Sequence, residues 1–290
     1  MLHTTPEVQS LIERALQEDL GLGDPTTDAL IPPDREARAV IFAKAPGVLC
    51  GLEVALAVFR RIDPAIQAQA CLQDGARLKK GDVIARLQGR AASLLKGERV
   101  ALNFLQHLSG IATETARYVE AVQGLPVRIL DTRKTLPGWR PLAKYAVRTG
   151  GGQNHRMALG DGILVKDNHI ALLRAQGISL GEIVRRALER APHTLKVEVE
   201  VTAVADAREA LEAGAHLLLL DNMPLEGMRE VARLAKGRAL LEASGGITLE
   251  TVRSVAETGV DFISVGALTH SARALDISVE IEAEEGGLGR

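Results

Sequence analysis

A segment between Arg128 and His169 concentrates positive charge. It contains eight Lys or Arg residues and two His against three Asp, so its local charge is about +5 in a chain whose net charge is −2. Many of these side chains lie just beyond the apolar runs 127–131 and 162–166, which are typical of buried strands. Charges at strand ends gather in one pocket. The segment therefore predicts an anion-binding active site.

Five residues form the predicted cationic set, because Arg can clamp a carboxylate through paired hydrogen bonds and Lys acts as a compact point charge. The set comprises Arg133, Lys134, His155, Arg156 and Lys166. An ordinary salt bridge is the alternative for each, with Asp131, Asp161 or Asp167 as the partner. We favour a ligand-binding role most for Arg133 and Arg156.

Two carboxylates end successive predicted strands. Glu200 closes the run 196–201 and Asp221 closes the run 216–221. Carboxylates with open positions suit Mg²⁺, which prefers oxygen ligands and keeps water molecules for substrate phosphate. We therefore predict that Glu200 and Asp221 hold Mg²⁺. Glu198 alternates with Glu200 and faces the same side of its strand, so the sequence leaves open which of the two faces the metal.

Two glycine-containing turns follow later strand-like runs, at 244–248 and 265–269. The first turn precedes a predicted helix, and backbone N–H groups of glycine-containing turns at helix N-termini bind phosphate readily. Such turns on the late strands of a barrel commonly hold a phosphate group. The sequence therefore predicts a phosphate site beside the cationic and acidic groups.

An alternation of strand and helix patterns after residue 127 must position these groups. Apolar runs predict strands at 127–131, 163–166, 196–201, 216–221, 239–244 and 261–265. Three-and-four spacing of apolar residues predicts helices at 178–191, 203–213, 225–235 and 249–258. Repeated β-α units require parallel strands. We predict an α/β protein with a C-terminal, incomplete β/α barrel of about six parallel strands. A doubly wound sheet is the alternative, disfavoured because no Gly-x-Gly-x-x-Gly turn occurs.

The first hundred residues follow another pattern. Segments 11–20, 53–62 and 98–108 predict helices, and 37–43 and 48–49 predict strands. Residues 75–87 alternate apolar and polar around a Lys-Gly-Asp turn, which predicts a structural β-hairpin; a lipoyl or biotinyl carrier turn would need an attachment motif that is missing. We predict an N-terminal α+β sandwich domain over 1–110 and a barrel domain over 111–270. Segment 271–290 returns to the first domain or caps the barrel, with a frayed tail at 284–290.

Composition excludes several classes of function. Aromatic residues make up only 2% of the chain, so a single-stranded nucleic-acid binder lacks its stacking platforms. The chain shows no basic and apolar leader and no run of about eighteen apolar residues, so we expect a cytoplasmic protein without membrane contact. Cys50 and Cys71 lack any metal-binding spacing, and we expect buried free thiols.

Several motifs resemble those of quinolinate phosphoribosyltransferases, over nearly the whole chain. The most specific are DTRKTLPG at 131–138, KYAVRTGGG at 144–152, NHR at 154–156 and KDNH at 166–169. Further matching segments are Glu98-Arg99 with Asn103, 108–113, 198–201, 220–222, 242–246 and 265–271. Ala243 stands where many relatives carry Ser, so we assign no role to that position.

The resemblance implies transfer of a phosphoribosyl group from phosphoribosyl pyrophosphate to quinolinate, with loss of CO₂, giving nicotinate mononucleotide and pyrophosphate in NAD synthesis. It also implies a homodimer in which the N-terminal domain of one subunit covers the barrel mouth of the other. Whether dimers assemble further is left open.

The resemblance also implies roles for individual residues. Lys134 would meet the negative charge of both reactants, and Glu200 and Asp221 would hold the metal and the ribose hydroxyls. The quinolinate carboxylates would be surrounded by Arg133, His155, Arg156 and Lys166, with Arg99 reaching in from the partner subunit. The 5′-phosphate would be bound by Ser244, Gly245, Gly246, Gly266 and Ala267.

Three other functions remain to be distinguished. A phosphosugar aldolase on the same fold would use Lys166 as a Schiff-base nucleophile. A related phosphoribosyl or nucleoside transferase with a neutral acceptor base would not need Arg133, His155 and Arg156 together. A binding or scaffold module would bind phosphate esters without turnover.

Overall fold

A computed structural model describes residues 4–283 of the 290-residue chain. Contacts between residues divide the described chain into two compact units. The first unit contains 4–116, 136–151 and 271–283, and the second contains 117–135 and 152–270. This division differs from a single boundary at residue 110, because segment 136–151 groups with the N-terminal residues. The predicted frayed tail at 284–290 lies outside the described residues.

The elements are named in chain order. The helices are α1 (Pro6–Leu20), α2 (Pro25–Leu30), α3 (Leu52–Ile62), α4 (Ala91–Ala121), α5 (Arg140–Thr149), α6 (Asp167–Arg174), α7 (Leu180–Arg190), α8 (Val204–Glu212), α9 (Leu225–Ala235), α10 (Val252–Ala256) and α11 (Ala267–His270). The strands are β1 (Glu36–Ala43), β2 (Gly47–Val48), β3 (Gln67–Ala70), β4 (Arg77–Leu78), β5 (Val83–Arg90), β6 (Arg128–Leu130), β7 (Ile163–Val165), β8 (Val197–Val201), β9 (Leu217–Asp221), β10 (Leu240–Ser244), β11 (Phe262–Ser264) and β12 (Ile277–Ala283). A 3₁₀ turn, Leu159–Asp161, precedes β7.

The first unit is built on an antiparallel sheet with the strand order β12-β1-β5-β3. Alternate residues of β1 are buried, as expected for a sheet with one face on a core. The C-terminal strand β12 pairs with β1 along its whole length. Trp139, just before α5, stacks on Phe104 of α4 with ring centroids 4.9 Å apart, which ties segment 136–151 to this unit. The prediction of a separate N-terminal α+β domain is confirmed.

The predicted hairpin at 75–87 is wrong in its pairing. The turn exists: the Lys79 N–H donates to the Asp82 carboxylate over 2.7 Å, and Gly81 has a φ of 94°. The flanking strands do not pair with each other, because β4 pairs with β2 and β5 lies between β1 and β3. Alternation predicted the two strands but not their partners.

The second unit contains six parallel strands in the order β6-β11-β10-β9-β8-β7. Chain order is therefore kept from β7 to β11, and the first strand, β6, pairs with the last. This circular order is that of a barrel with one open seam, between β6 and β7. In a doubly wound sheet, by contrast, the strand order would reverse direction at a central strand. The prediction of an incomplete barrel of six parallel strands is confirmed.

The side chains of β8 show which face of the strand packs against the helices and which faces the barrel interior. Val197, Val199 and Val201 are buried on one side, and Glu198 and Glu200 lie on the other. Because alternate side chains point to opposite faces, the valines pack beneath the helices and the glutamates face the barrel interior. Helix α9 has the predicted bounds, 225–235. No helix among residues 4–283 has the length and hydropathy that a bilayer span requires.

The two cysteines differ from the prediction in one respect. Both are free thiols, but only Cys50 is buried, whereas Cys71 is exposed. Cys71 follows the short strand β3, whose residues are themselves mostly exposed. Exposure of Cys71 follows from the exposure of this strand, so the prediction of burial is wrong for Cys71.

Candidate active site

The carboxyl ends of the barrel strands surround a cavity of about 640 Å³ within the second unit. Parallel strands of a barrel deliver their C-terminal residues to one rim, so residues distant in sequence meet there. The predicted site residues that line this cavity are Arg133, Lys134, His155, Arg156, Lys166, Glu200, Asp221, Ser244, Gly245 and Gly246.

Other predicted residues lie elsewhere. Gly266 and Ala267 stand where β11 leads into α11, and neither is among the residues that line the cavity. Gly266 lies beside Lys134, whose Cδ would be 3.1 Å from a Cβ at that glycine. Arg99 is an exposed residue of α4 in the first unit.

The basic segment is also less uniform than its charge suggested. The guanidinium of Arg128 lies 5.7 Å from the ring centroid of Phe262, and both residues begin strands, away from the carboxyl ends. Helix α5 carries three further basic residues in the first unit, and one of them, Lys144, is fully buried. Only part of the segment therefore lines the cavity. We call this part, Arg133, Lys134, His155, Arg156 and Lys166, the cationic wall.

A fully buried carboxylate positions the loop that carries His155 and Arg156. Asp131 follows β6 and accepts hydrogen bonds from the Asn154 side-chain amide over 2.6 Å and from the His155 N–H over 2.8 Å. The Gln153 N–H donates to the Ile129 carbonyl over 2.8 Å, which joins the loop to the open edge of β6. Sequence reasoning noted Asp131 at a strand end but gave it no positioning role.

Positive charge accumulates beside this loop. Burial, and then the charge of Arg133, hold the pKa of Arg156 below its usual value. Nη1 of Arg156 donates to the Gly162 carbonyl over 3.1 Å, whereas Nε of Arg133 is buried without a hydrogen-bond partner. An anionic ligand would supply the acceptors that these guanidinium groups lack.

Negative charge accumulates across the cavity. The pKa of Glu200 is raised by its partial burial and then by the charges of Asp221 and Asp167, with Lys166 and Lys134 acting in the opposite direction. Carboxylates that destabilise one another's charge are suited to a shared cation, and oxygen ligands suit Mg²⁺. These side chains therefore fit the predicted metal.

The glycine turn after β10 has a specific backbone geometry. Gly245 and Gly246 have φ angles of 93° and 60°, a region of backbone conformation that glycine adopts without the steric cost of a side chain. Asn222, also at positive φ, donates its N–H to the Ser244 carbonyl over 2.9 Å and its amide to Asp221 over 2.9 Å. Successive backbone N–H groups in such a turn form a concavity for anions.

A buried group of three residues was not foreseen. His155 Nε2 lies 3.4 Å from Glu198 Oε2 and 3.5 Å from Glu242 Oε2. The carboxylates raise the pKa of His155, although burial acts against them. Burial, and then the charge of Glu198, raise the pKa of Glu242 to about 7. Sequence reasoning considered Glu198 only as a rival metal ligand and gave Glu242 no role, although both are charged residues inside strands.

An incomplete parallel barrel with arginines, carboxylates and a glycine turn at one rim is the arrangement of an α/β-barrel enzyme, whose active site lies at the carboxyl ends of the strands. Family models then identify it further. The quinolinate phosphoribosyl transferase N-terminal domain matches residues 24–109, and the C-terminal domain of that enzyme matches residues 111–280. The chain belongs to the quinolinate phosphoribosyltransferase family.

Curated relatives and solved structures support the same family assignment. A probable nicotinate-nucleotide pyrophosphorylase (carboxylating) from Bacillus subtilis is 44% identical, over 95% of this chain and 93% of its own length. A decarboxylating quinolinate phosphoribosyltransferase of Nicotiana tabacum is 42% identical, over 97% of this chain and 84% of its own. The crystal structure of NadC from Streptococcus pyogenes has a TM-score of 0.90 at 43% identity and covers 96% of this chain and 98% of its own.

Proposed function

We propose that this protein transfers the phosphoribosyl group of phosphoribosyl pyrophosphate to quinolinate and releases CO₂, forming nicotinate mononucleotide and pyrophosphate for NAD synthesis. The main support is that Arg133 and Arg156 line the same cavity as Glu200, Asp221 and the glycine turn. A dicarboxylate, a ribose and a phosphate each find a matching set of groups in one cavity.

Binding would align the two reactants. Arg133 and Arg156 hold the pyridine carboxylates through paired hydrogen bonds, and the turn at Gly245 and Gly246 binds the 5′-phosphate. The ring nitrogen is thereby placed against the anomeric carbon of the ribose, and this positioning removes much of the entropic barrier.

Charge develops as pyrophosphate departs. The C–O bond to pyrophosphate breaks with both electrons going to the leaving oxygen, so the ribose becomes cationic at the anomeric carbon. Lys134 stabilises the departing negative charge, and Glu200 and Asp221 stabilise the cation. The pyridine nitrogen then donates its lone pair to the anomeric carbon.

Decarboxylation requires no nucleophilic side chain. Once the ring nitrogen is quaternary, the bond to the 2-carboxylate breaks, the ring takes the electron pair, and a proton later replaces CO₂ at that carbon. The protein holds the ring and excludes water during this step. Lys166 therefore acts through its charge and not as a Schiff base.

We also propose that Glu200 and Asp221 hold Mg²⁺, which supplies neutralisation of the pyrophosphate leaving group. Glu200→Gln is expected to weaken Mg²⁺ binding, measured by titration with the metal alone. The same Mg²⁺ affinity in wild type and variant would contradict these ligands.

A homodimer with shared sites is a further part of the proposal. We infer from the family resemblance that Arg99 of the partner subunit would reach the quinolinate carboxylates; the exposure of Arg99 on α4 supports this. The cytoplasmic location and any larger assembly stay predictions.

Pyrophosphate release tests the proposed reaction. The protein with phosphoribosyl pyrophosphate is expected to release pyrophosphate when quinolinate is added, with one CO₂ for each pyrophosphate. Release with a neutral base equally well would favour a transferase with another acceptor, and release without any base would indicate hydrolysis of phosphoribosyl pyrophosphate by water. Binding of phosphate esters without turnover would favour a binding module, and borohydride trapping of a carbonyl substrate would favour the aldolase.

A further inference from the structure

Two buried carboxylates contact His155 and take no part in the reaction as described: Glu198, and Glu242, which also lines the cavity. Glu198 is 7% exposed and Glu242 is 2% exposed, and each faces His155 through its Oε2 atom. The Oε1 atom of Glu198 is buried without a hydrogen-bond partner, and a hydrogen bond from the Ser264 hydroxyl lowers the pKa of Glu242. Burying two partly satisfied carboxylates is costly, so their presence calls for a compensating function.

The ring of His155 shows what these carboxylates contact. Its Nδ1 accepts a hydrogen bond from the Arg156 N–H over 2.7 Å. With Nδ1 as an acceptor, the imidazole proton lies on Nε2, the nitrogen that faces Glu198 and Glu242. A metal ion would need the lone pair of Nε2 as its ligand. The arrangement therefore favours a shared proton, although all three side chains could ligate a cation by distance alone.

We propose that Glu198 and Glu242 are positioning residues for the dicarboxylate substrate, and that they act through His155. The inference rests on the proposed function. The two carboxylates hold the Nε2–H of His155, so the ring keeps one orientation. Its Nδ1 then fixes the N–H of Arg156, and with it the backbone from which the Arg156 guanidinium extends into the cavity.

The same carboxylates balance charge. Arg156 lies close enough to Arg133 for the two cations to disfavour each other, and Glu198 acts in the opposite direction on Arg156. Negative charge below the wall thus allows two guanidinium groups to converge before any substrate arrives. Pre-organised cations lose less free energy on binding than cations that must be brought together.

Isosteric variants test the inference by separating the two substrates. Glu242→Gln and Glu198→Gln are each expected to raise the KM for quinolinate by about tenfold. The KM for phosphoribosyl pyrophosphate should stay within about twofold, because its phosphate binds at the glycine turn. Glu209→Gln is the matched control, since Glu209 accepts from the Gly181 N–H on α7, outside the cavity.

A double-mutant cycle tests whether the effect passes through His155. If it does, Glu242→Gln adds less than about twofold to the quinolinate KM once His155→Gln is present. Glu242→Asp, which keeps the charge, is expected to recover part of the affinity.

Several results would overturn the inference: additive effects of Glu242→Gln and His155→Gln, an equal rise in both KM values, or loss of folding in both glutamine variants. Each would assign the carboxylates another role while the wild-type reaction stands. Absence of pyrophosphate release by the wild type would instead reject the proposed function itself.

Discussion

Glu198 and Glu200 lie on the same face of β8 but at different depths in the barrel. Glu200 lines the cavity, whereas Glu198 is almost fully buried, with Oε2 3.4 Å from Nε2 of His155. Alternation along a strand places both side chains on the same face, but it does not determine how deeply each side chain lies within the barrel. Glu200 is therefore the carboxylate of β8 that reaches the cavity, and Glu198 belongs to the buried group with His155 and Glu242.

Removal of either guanidinium should impair use of quinolinate. Arg133→Ala and Arg156→Ala are each expected to cost about 2–5 kcal/mol, because a buried carboxylate of the substrate loses its partner. This corresponds to a fall in kcat/KM for quinolinate of about thirtyfold or more. Arg185→Ala on α7, whose side chain is 55% exposed and paired with Glu182, is the control. Steady-state kinetics within about threefold of wild type would refute the assignment.

The glycine turn should not tolerate a side chain. A Cβ at Gly245 would overlap the side-chain amide of Asn222, and its φ is 93°. Gly245→Ala is expected to raise the KM for phosphoribosyl pyrophosphate by about tenfold or more. Gly237→Ala is the control that distinguishes backbone strain from an effect on the phosphate site. Gly237 also has a positive φ, 74°, and has nothing within 4 Å of its Cβ position. That control should lose about 1 kcal/mol of stability and no activity; equal kinetic defects would contradict the prediction.

Glu242→Gln should stabilise the protein at high pH. Burial, and then the charge of Glu198, raise the pKa of Glu242 to about 7 from an ordinary 4.5; His155 and a hydrogen bond from Ser264 oppose the rise, and the charge of Asp131 adds to it. The folded state thus binds more protons than the unfolded state between these values, so the wild type loses stability as pH rises through this window. Above about pH 7 the variant is expected to be more stable by about 1–3 kcal/mol.

Urea unfolding at several pH values between 5 and 8 measures this difference, which should shrink as the pH falls. Glu209→Gln again serves as the control. A difference in unfolding free energy that is independent of pH would show that Glu242 does not titrate in this range.

Shared active sites predict complementation between inactive variants. Arg99→Ala and Lys134→Ala, co-expressed, should form heterodimers in which one of the two sites carries neither change. Random pairing makes about half of the dimers heterodimers, so activity should reach about a quarter of wild type. Co-expression of Lys134→Ala with Glu200→Gln is the control. Each variant then inactivates the site in its own barrel, so neither site of a heterodimer is intact. Equal activity of the two mixtures would argue against a contribution from the partner subunit.

Local sequence patterns were sufficient for most of the barrel. The runs ending at Asp221 and Ser244 are apolar, short and followed by polar residues, so strand type and strand end were both predictable. Parallel strands then bring those ends to one rim, which explains why Glu200, Asp221 and Gly245 meet as predicted.

Non-local pairing accounts for what was not predicted. Alternation in 75–87 indicated two strands, but β4 pairs with β2 and β5 pairs with both β1 and β3, and alternation alone does not specify a partner strand. The group of His155, Glu198 and Glu242 joins a loop to two different strands, and side-chain depth decides its contacts. Segment 136–151 groups with the first unit through Trp139 and Phe104, a contact that spacing along the chain does not indicate.

Calorimetric titration of the wild-type protein with quinolinate and with nicotinate tests the central claim most directly. Only quinolinate carries the 2-carboxylate that the cationic wall is proposed to bind. A site built for a charged group should reject the analogue that lacks it, so nicotinate is expected to bind at least about thirtyfold more weakly. Equal affinities for the two pyridines would contradict the account.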